Sequence, residues 1–445
     1  FHLFGRNLVV EAAEGTIGTD AQALLFNAFG DGTLTARARG DIFIDGVNWV
    51  GSGGDLAIES VYSQTGQVYL IAAGAIRDAL DTSAAKIKAR TISLIANGGG
   101  ILGDGLAGFN YLDVDTTGIL NAYANGGLAL SQVSGDMQVG RLYSDGGTVR
   151  LRTPGAIVNP AIYPGNTDLF TYGYLFGYGF DLIAGAGGIG EGMALWLGTS
   201  STVPRFEGLL DARTDSGGIF LDVFSGDLGI SSVNAAGGDA DVVIVVREGA
   251  LADPYFGGAI NLVARHASLS GRYGVGYAGS PIFSDVEMLE AQAPEDDVAI
   301  VNLGKLTIGD PSSGRLFAIS AQGTAHVAAA GALTVNKGVD AYDITLIAMD
   351  DSLDDNATIP GRERDEIILA ASVTELRAGG SIELFAGDDI GLAAGVRLGA
   401  GNSISLEGDS QRDAYGNLPP FGSTDADPGQ GAVIRIEGVA EAAFI

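Results

Sequence analysis

The chain has 445 residues, of which 70 are glycine, only 12 are proline and 46% are hydrophobic. Glycine at about twice its usual ~7% with so little proline excludes collagen and Pro/Gly linkers, and the wealth of Val, Ile and Leu excludes a disordered acidic tail. With 54 Asp and Glu against 24 Lys and Arg the net charge is −30, which repels nucleic acid and anionic membrane surfaces and suits hard cations such as calcium.

There is no cysteine, so disulfides, zinc–thiolate sites and thiol nucleophiles are excluded together. No run of 18 uncharged apolar residues predicts a transmembrane helix. The chain starts at Phe1 without a basic-then-apolar leader and closes on the apolar "AEAAFI". Both ends predict a piece of a longer protein.

Glycine followed by alternating apolar residues recurs in chain order: "GDIFID" from Gly40, "GDLAIES" from Gly54, "GQVYLIA" from Gly66, "GDMQVG" from Gly135, "GGTVRLR" from Gly146, "GGIFLDV" from Gly217, "GSIELFA" from Gly380 and "GAVIRIEG" from Gly431. Period-2 segments bounded by turn residues predict half-buried strands. Three longer units align, Gly54–Ala79, Gly135–Pro160 and Gly226–Pro254, each closing on Gly-Ala-(Ile/Leu)-x-(Asp/Asn). Strand starts alternate between about 9 and about 11 residues, so two strands and their turns take about 20, the coil length of a parallel β-solenoid. The expected fold is one continuous all-β solenoid over residues 1–445, a right-handed parallel β-helix, with insertions near 161–181, 271–297 and 408–431. Helix signals are confined to Arg77–Arg90 and Phe283–Asp297.

The pattern "GDLxIxxVxxxGGxVxLxxxGAIxD", with "GTAHVAAAGALTVN" at Gly323–Asn336, resembles the repeats of very large bacterial exoproteins of the filamentous haemagglutinin-like class. The resemblance covers about two thirds of the chain. It implies a right-handed parallel β-helix, export to the outer cell surface or the medium, and a part in adhesion, biofilm matrix or surface-layer assembly.

Chemistry-bearing motifs are sparse. His2, His266 and His326 are far apart and fit no metal spacing, and no GxSxG elbow or Ser/His/Asp arrangement is present. "GAGGIGEG" at Gly185–Gly192 has Gly-x-Gly-x-x-Gly spacing but lacks the helix and acidic partner of a dinucleotide site. Asp350, Asp351, Asp354 and Asp355 in "MDDSLDDN" would supply oxygen ligands for calcium, with solvated turns as the plainer reading. In "FTYGYLFGYGF" the aromatics Phe170, Tyr172, Tyr174, Phe176, Tyr178 and Phe180 fall at every second residue. An extended segment puts all six on one face, either packed flat on the scaffold or offered to a partner chain or a glycan.

The expected function is therefore a non-catalytic rod segment of a secreted or cell-surface bacterial protein. Its expected partners are copies of itself, other surface proteins or glycans. The alternative is a β-helical polysaccharide lyase or glycosidase with carboxylates on an outer face.

Overall fold

The computed structural model describes residues 2–28, 32–47, 54–80, 82–103, 111–160, 173–199, 208–255, 258–312, 316–349, 365–370, 375–417, 433–437 and 439–442. They form 42 strands, numbered in chain order from β1 (His2–Gly5) to β42 (Val439–Ala442). The all-β class expected from the sequence is what the structure shows. Among the described residues no helix is long and apolar enough to cross a membrane. The chain forms two compact units, residues 1–226 and 227–445.

Strand formation follows from the alternation. In β7 (Gln67–Ala72), Val68, Leu70 and Ala72 are buried while Gln67, Tyr69 and Ile71 are half-buried, as a period of two requires. Parallel pairing then brings equivalent residues into columns. β5 (Ile42–Gly46), β7, β10 (Thr91–Ala96), β13 (Ile119–Ala124) and β15 (Met137–Ser144) align Ile42, Val68, Ile92, Leu120 and Val139. None of the five is more than 1% exposed. Burial of each such side chain contributes roughly 1.5–3 kcal/mol, so the columns hold the strands in register.

The Gly-Asp pairs of the three aligned units have a definite task. Asp55 Oδ1 accepts the Ala75 amide at 2.8 Å, Asp136 Oδ1 the Ala156 amide at 2.9 Å, and Asp227 Oδ1 the Ala250 amide at 2.9 Å. Each aspartate ties the opening turn of its unit to the Gly-Ala that closes it. A turn amide that would otherwise lack a partner is satisfied in this way.

The right-handed parallel β-helix of about 20 residues per coil is corrected by the strand pairing. In the first unit β6 (Leu56–Ser63) pairs along Leu56–Ile58 with β8 (Ile76–Asp78) and along Val61–Tyr62 with β9 (Ile87–Ala89). β8 then pairs with β11 (Ile101–Leu102), and β9 with β12 (Leu112–Thr116). Both meet again on β14 (Leu128–Gln132), through Ile101↔Leu128 and Leu112↔Leu130. The six strands thus close into a ring, β6–β8–β11–β14–β12–β9, with the connectivity of a six-stranded parallel barrel to which further strands add. Nor is the offset between paired residues fixed: it is 19 at Leu120↔Val139 (139 − 120) and 38 at Ile344↔Ile382 (382 − 344). The readings that stood on the regular helix fall with it. These are the haemagglutinin-like repeat, the inert rod for adhesion, biofilm or surface-layer assembly, and the β-helical lyase or glycosidase.

The ring surrounds a polar cluster. Lys86, which leads into β9, has its side chain 4% exposed and its Nζ 2.6 Å from Thr82 Oγ1 and 3.5 Å from Asp78 Oδ1. Asp113 of β12 is also buried. The stretch Arg77–Arg90, expected to hold a short helix or a loop, is the end of β8, a loop and β9. The second such stretch, Phe283–Asp297, lies largely in the 12-residue strand β27 (Ile282–Ala293).

In the second unit, β28 (Val298–Asn302), β31 (Thr324–Ala329), β34 (Asp343–Ala348), β37 (Ile382–Ala386) and β40 (Ile404–Glu407) pair in that order. Their inward column is Val298, Ala325, Ile344, Ile382 and Ile404. On the opposite side Phe283, Val301, Ala328, Ile347 and Phe385 form a second apolar cluster. Residues 408–417 run back across it. Arg412 lies 4.0 Å over the Phe385 ring, and Ala414 O is 2.7 Å from His326 Nε2.

Candidate functional site

The aromatic segment is where sequence and structure meet. Phe170 and Tyr172 lie outside the described residues. Tyr174 and Phe176 belong to β18 (Tyr174–Gly177) and are half-buried, and Tyr178 is half-buried at the corner that follows. Phe180 is different: it lies in β19 (Gly179–Ala184) and is 1% exposed. The chain turns between Gly177 and Gly179, so the alternation restarts and Phe180 falls into the core column with Val149 and Leu210. The six aromatics therefore do not share one face. Residues 173–181, expected to leave the scaffold, are paired strand. Of the other expected insertions, 271–297 holds a turn and β27, and 408–417 is the segment across Phe385.

Tyr174 and Phe176 extend an outward strip. Ile95, Tyr123, Tyr143 and Phe176 lie in register on β10, β13, β15 and β18. The Tyr123 and Tyr143 rings stack at 5.4 Å and 15°, and Tyr143 and Phe176 at 4.5 Å and 4°. The spacing matches that of parallel strands, about 4.8 Å, so the ladder itself imposes the stack. It continues through Tyr174 to Phe224, 5.3 Å apart. Phe224 reaches this position through a bulge between β20 (Leu195–Thr199) and β22 (Ile219–Ser225). Gly198 makes room for it, since a Cβ there would lie 2.5 Å from Phe224 Cζ and 3.0 Å from Phe176 Cδ2.

At its other end the stack stops. Tyr123 is 38% exposed, and its neighbour away from Tyr143 is the aliphatic Ile95. The adjoining column carries Tyr69, then the short side chains of Ser93 and Asn121, then Arg141. The two small residues between large ones leave a cleft of about 450 Å³, lined by Tyr69, Ser93, Asn121, Tyr123, Arg141 and Tyr143 among others. That is within the usual size of a small-ligand site.

A second bulge aims Arg141. Between Leu120↔Val139 and Ala122↔Leu142, β15 has two residues opposite the single Asn121 of β13. The extra residue redirects the side chain that follows. Asn121 Oδ1 accepts the Arg141 amide at 3.0 Å, and its Nδ2 is 3.4 Å from Ser93 Oγ. A Cβ at position 140 would sit 2.1 Å from Asn121 Oδ1, so any larger residue there would displace the Asn121 side chain. The Arg141 guanidinium lies 6.0 Å from the Tyr174 ring centroid. Burial raises the Tyr143 hydroxyl above its ordinary pKa, and the Asp145 carboxylate to which it hydrogen-bonds adds to this. Burial likewise raises Tyr174, with Arg141 opposing.

The remaining candidates contribute less. Asp350, Asp351, Asp354 and Asp355 lie outside the described residues. Among the described residues no three His, Asp or Glu side chains converge to hold a metal ion. Gly185–Gly192 forms turns around an isolated bridge at Ile189, and a strand, not a helix, follows. Sequence reasoning passed over Tyr69, Ser93, Asn121, Tyr123, Arg141 and Tyr143, since they are spread over four strands. The available signal was a Tyr at the same place in "AYAN" and "LYSD".

No family model, curated protein or solved structure matches the chain.

Proposed function

We propose that this protein is a non-catalytic binding protein acting outside the cell, and that its cleft between Tyr69 and Tyr123 takes a saccharide chain. The observation that carries the reading is the unfinished aromatic stack: Tyr123 has a ring on one side and, above the aliphatic Ile95, the cleft on the other. A pyranose presents an apolar C–H face to such a ring and hydroxyls to the polar groups around it, here Ser93, Asn121 and Arg141.

The test is calorimetric titration with oligosaccharides of glucose, N-acetylglucosamine and galacturonate. At least one series should bind, and Tyr123→Ala should weaken it about tenfold, the worth of one aromatic contact. Tyr342→Ala, an exposed tyrosine of the second unit, should leave binding unchanged. Equal losses in the two variants, or no binding by any series, would remove the reading.

A further inference from the structure

Among the described residues many guanidinium and ammonium groups meet a carboxylate. Arg39 pairs with Glu14, Lys88 with Asp115, Arg265 with Asp241, Arg272 with Glu248 and Glu295, and Arg377 with Asp340. Arg141 has no carboxylate partner among the described residues. Its side chain is exposed, and its Cζ lies 6.0 Å from the Tyr174 ring centroid. Its N–H edges, the part that binds carboxylates in two parallel hydrogen bonds, are left for something else. The bulge at Gly140 and the bond from Asn121 place this group at the wall of the cleft.

Building on the saccharide reading above, we propose that the ligand is acidic: a hexuronate chain whose carboxylate is held by Arg141 while a pyranose ring rests on Tyr123. The net charge of the chain does not forbid this. At physiological salt, charges more than about 8 Å away are largely screened, so groups in contact with the ligand decide. No Asp or Glu is among the described residues that line the cleft; Asp145, which accepts from the Tyr143 hydroxyl, is the acid next to it. The short Ser93 and Asn121 leave the space between Tyr69 and Arg141 open over two strands, about 14 Å counted as three strand spacings. That length accommodates two or more sugar rings.

The experiment compares hexagalacturonate with its methyl ester, in which the carboxylate charge is removed, on the full chain. Wild type should bind the acid about tenfold more tightly than the ester, and the gap should narrow as salt rises. Arg141→Gln should abolish the gap, the acid losing more affinity than the ester, and Arg141→Lys should retain part of it. An equal affinity of wild type for acid and ester, or a gap that survives in Arg141→Gln, would overturn the acidic assignment and leave the saccharide reading standing. A sulfated neutral-sugar chain that binds as tightly as the uronate would overturn the choice of carboxylate. Failure of every oligosaccharide would overturn both.

Discussion

Asp181 shows how a single side chain on a parallel ladder acquires an unusual environment. Register places it between Arg150 of β16 (Thr148–Thr153) and Asp211 of β21 (Leu209–Thr214). Its Oδ2 is 4.0 Å from Arg150 Nε. Burial raises its pKa above the ordinary carboxylate value, Asp211 adds to the rise, and Arg150 opposes it. A raised carboxylate contributes stability that is present below the unfolded pKa and lost as pH climbs through the folded one. Asp181→Asn should therefore gain on wild type in urea unfolding as pH rises from about 4. A stability difference independent of pH would show that Asp181 titrates normally. At this same scale the sequence was informative about turns: the Gly-Asp pairs at 54, 135 and 226 stood out, and each aspartate bonds the amide of its closing unit. It was not informative about Arg141, whose direction depends on a one-residue bulge that no local pattern marks.

Strands were the most legible element, because "QVYLIA" or "TVRLRT" can bury one face only as an extended segment. What could not be read was how they pair. The period of two survives a change in loop length, whereas the offset between partners does not. Residues 79–86 divide one run of pairing into β8 and β9, and β12 is separated from β11 in the same way. The alternation of the aromatic segment misled for a related reason: a corner at Tyr178 reverses which parity faces inward. Where the pairing divides, the backbone leaves room for polar groups, and Lys86, Asp78 and Thr82 fill it. Removing one member of a buried pair strands the other, at a cost of roughly 3–5 kcal/mol. Lys86→Met alone should thus lower the unfolding free energy by about that amount, and Lys86→Met with Asp78→Leu should recover much of it. A single variant as stable as wild type in urea would mean that the pair does not organise the ring.

Across the whole molecule the dominant quantity is charge. An excess of 30 negative charges pushes against any compact state, and salt relieves the push by screening. Raising ionic strength from about 0.01 M to 0.15 M, which shortens the screening length from about 30 to 8 Å, should raise the midpoint of thermal unfolding. A midpoint that falls would instead show that ion pairs such as Arg272 with Glu248 and Glu295 outweigh the repulsion. Composition made this legible at once. The cleft was not legible, since its walls come from residues as far apart as 69 and 143, and only folded geometry brings them together.

The divided pairing between β6 and β14 has a consequence for how such a chain can change. Ala79 and Lys86 complete the flanking ladders, through Ala79 N–H to Ile58 O at 2.9 Å and Val61 N–H to Lys86 O at 2.7 Å, whereas Ser83 and Ala84 are exposed, so extra length at those two residues would be borne by the solvent side while the ladders stay in register. Lengthening a surface excursion costs little, about 0.6 kcal/mol for each doubling. The interval is a natural graft point, through which evolution or an engineer could install a new appendage without rebuilding what surrounds it.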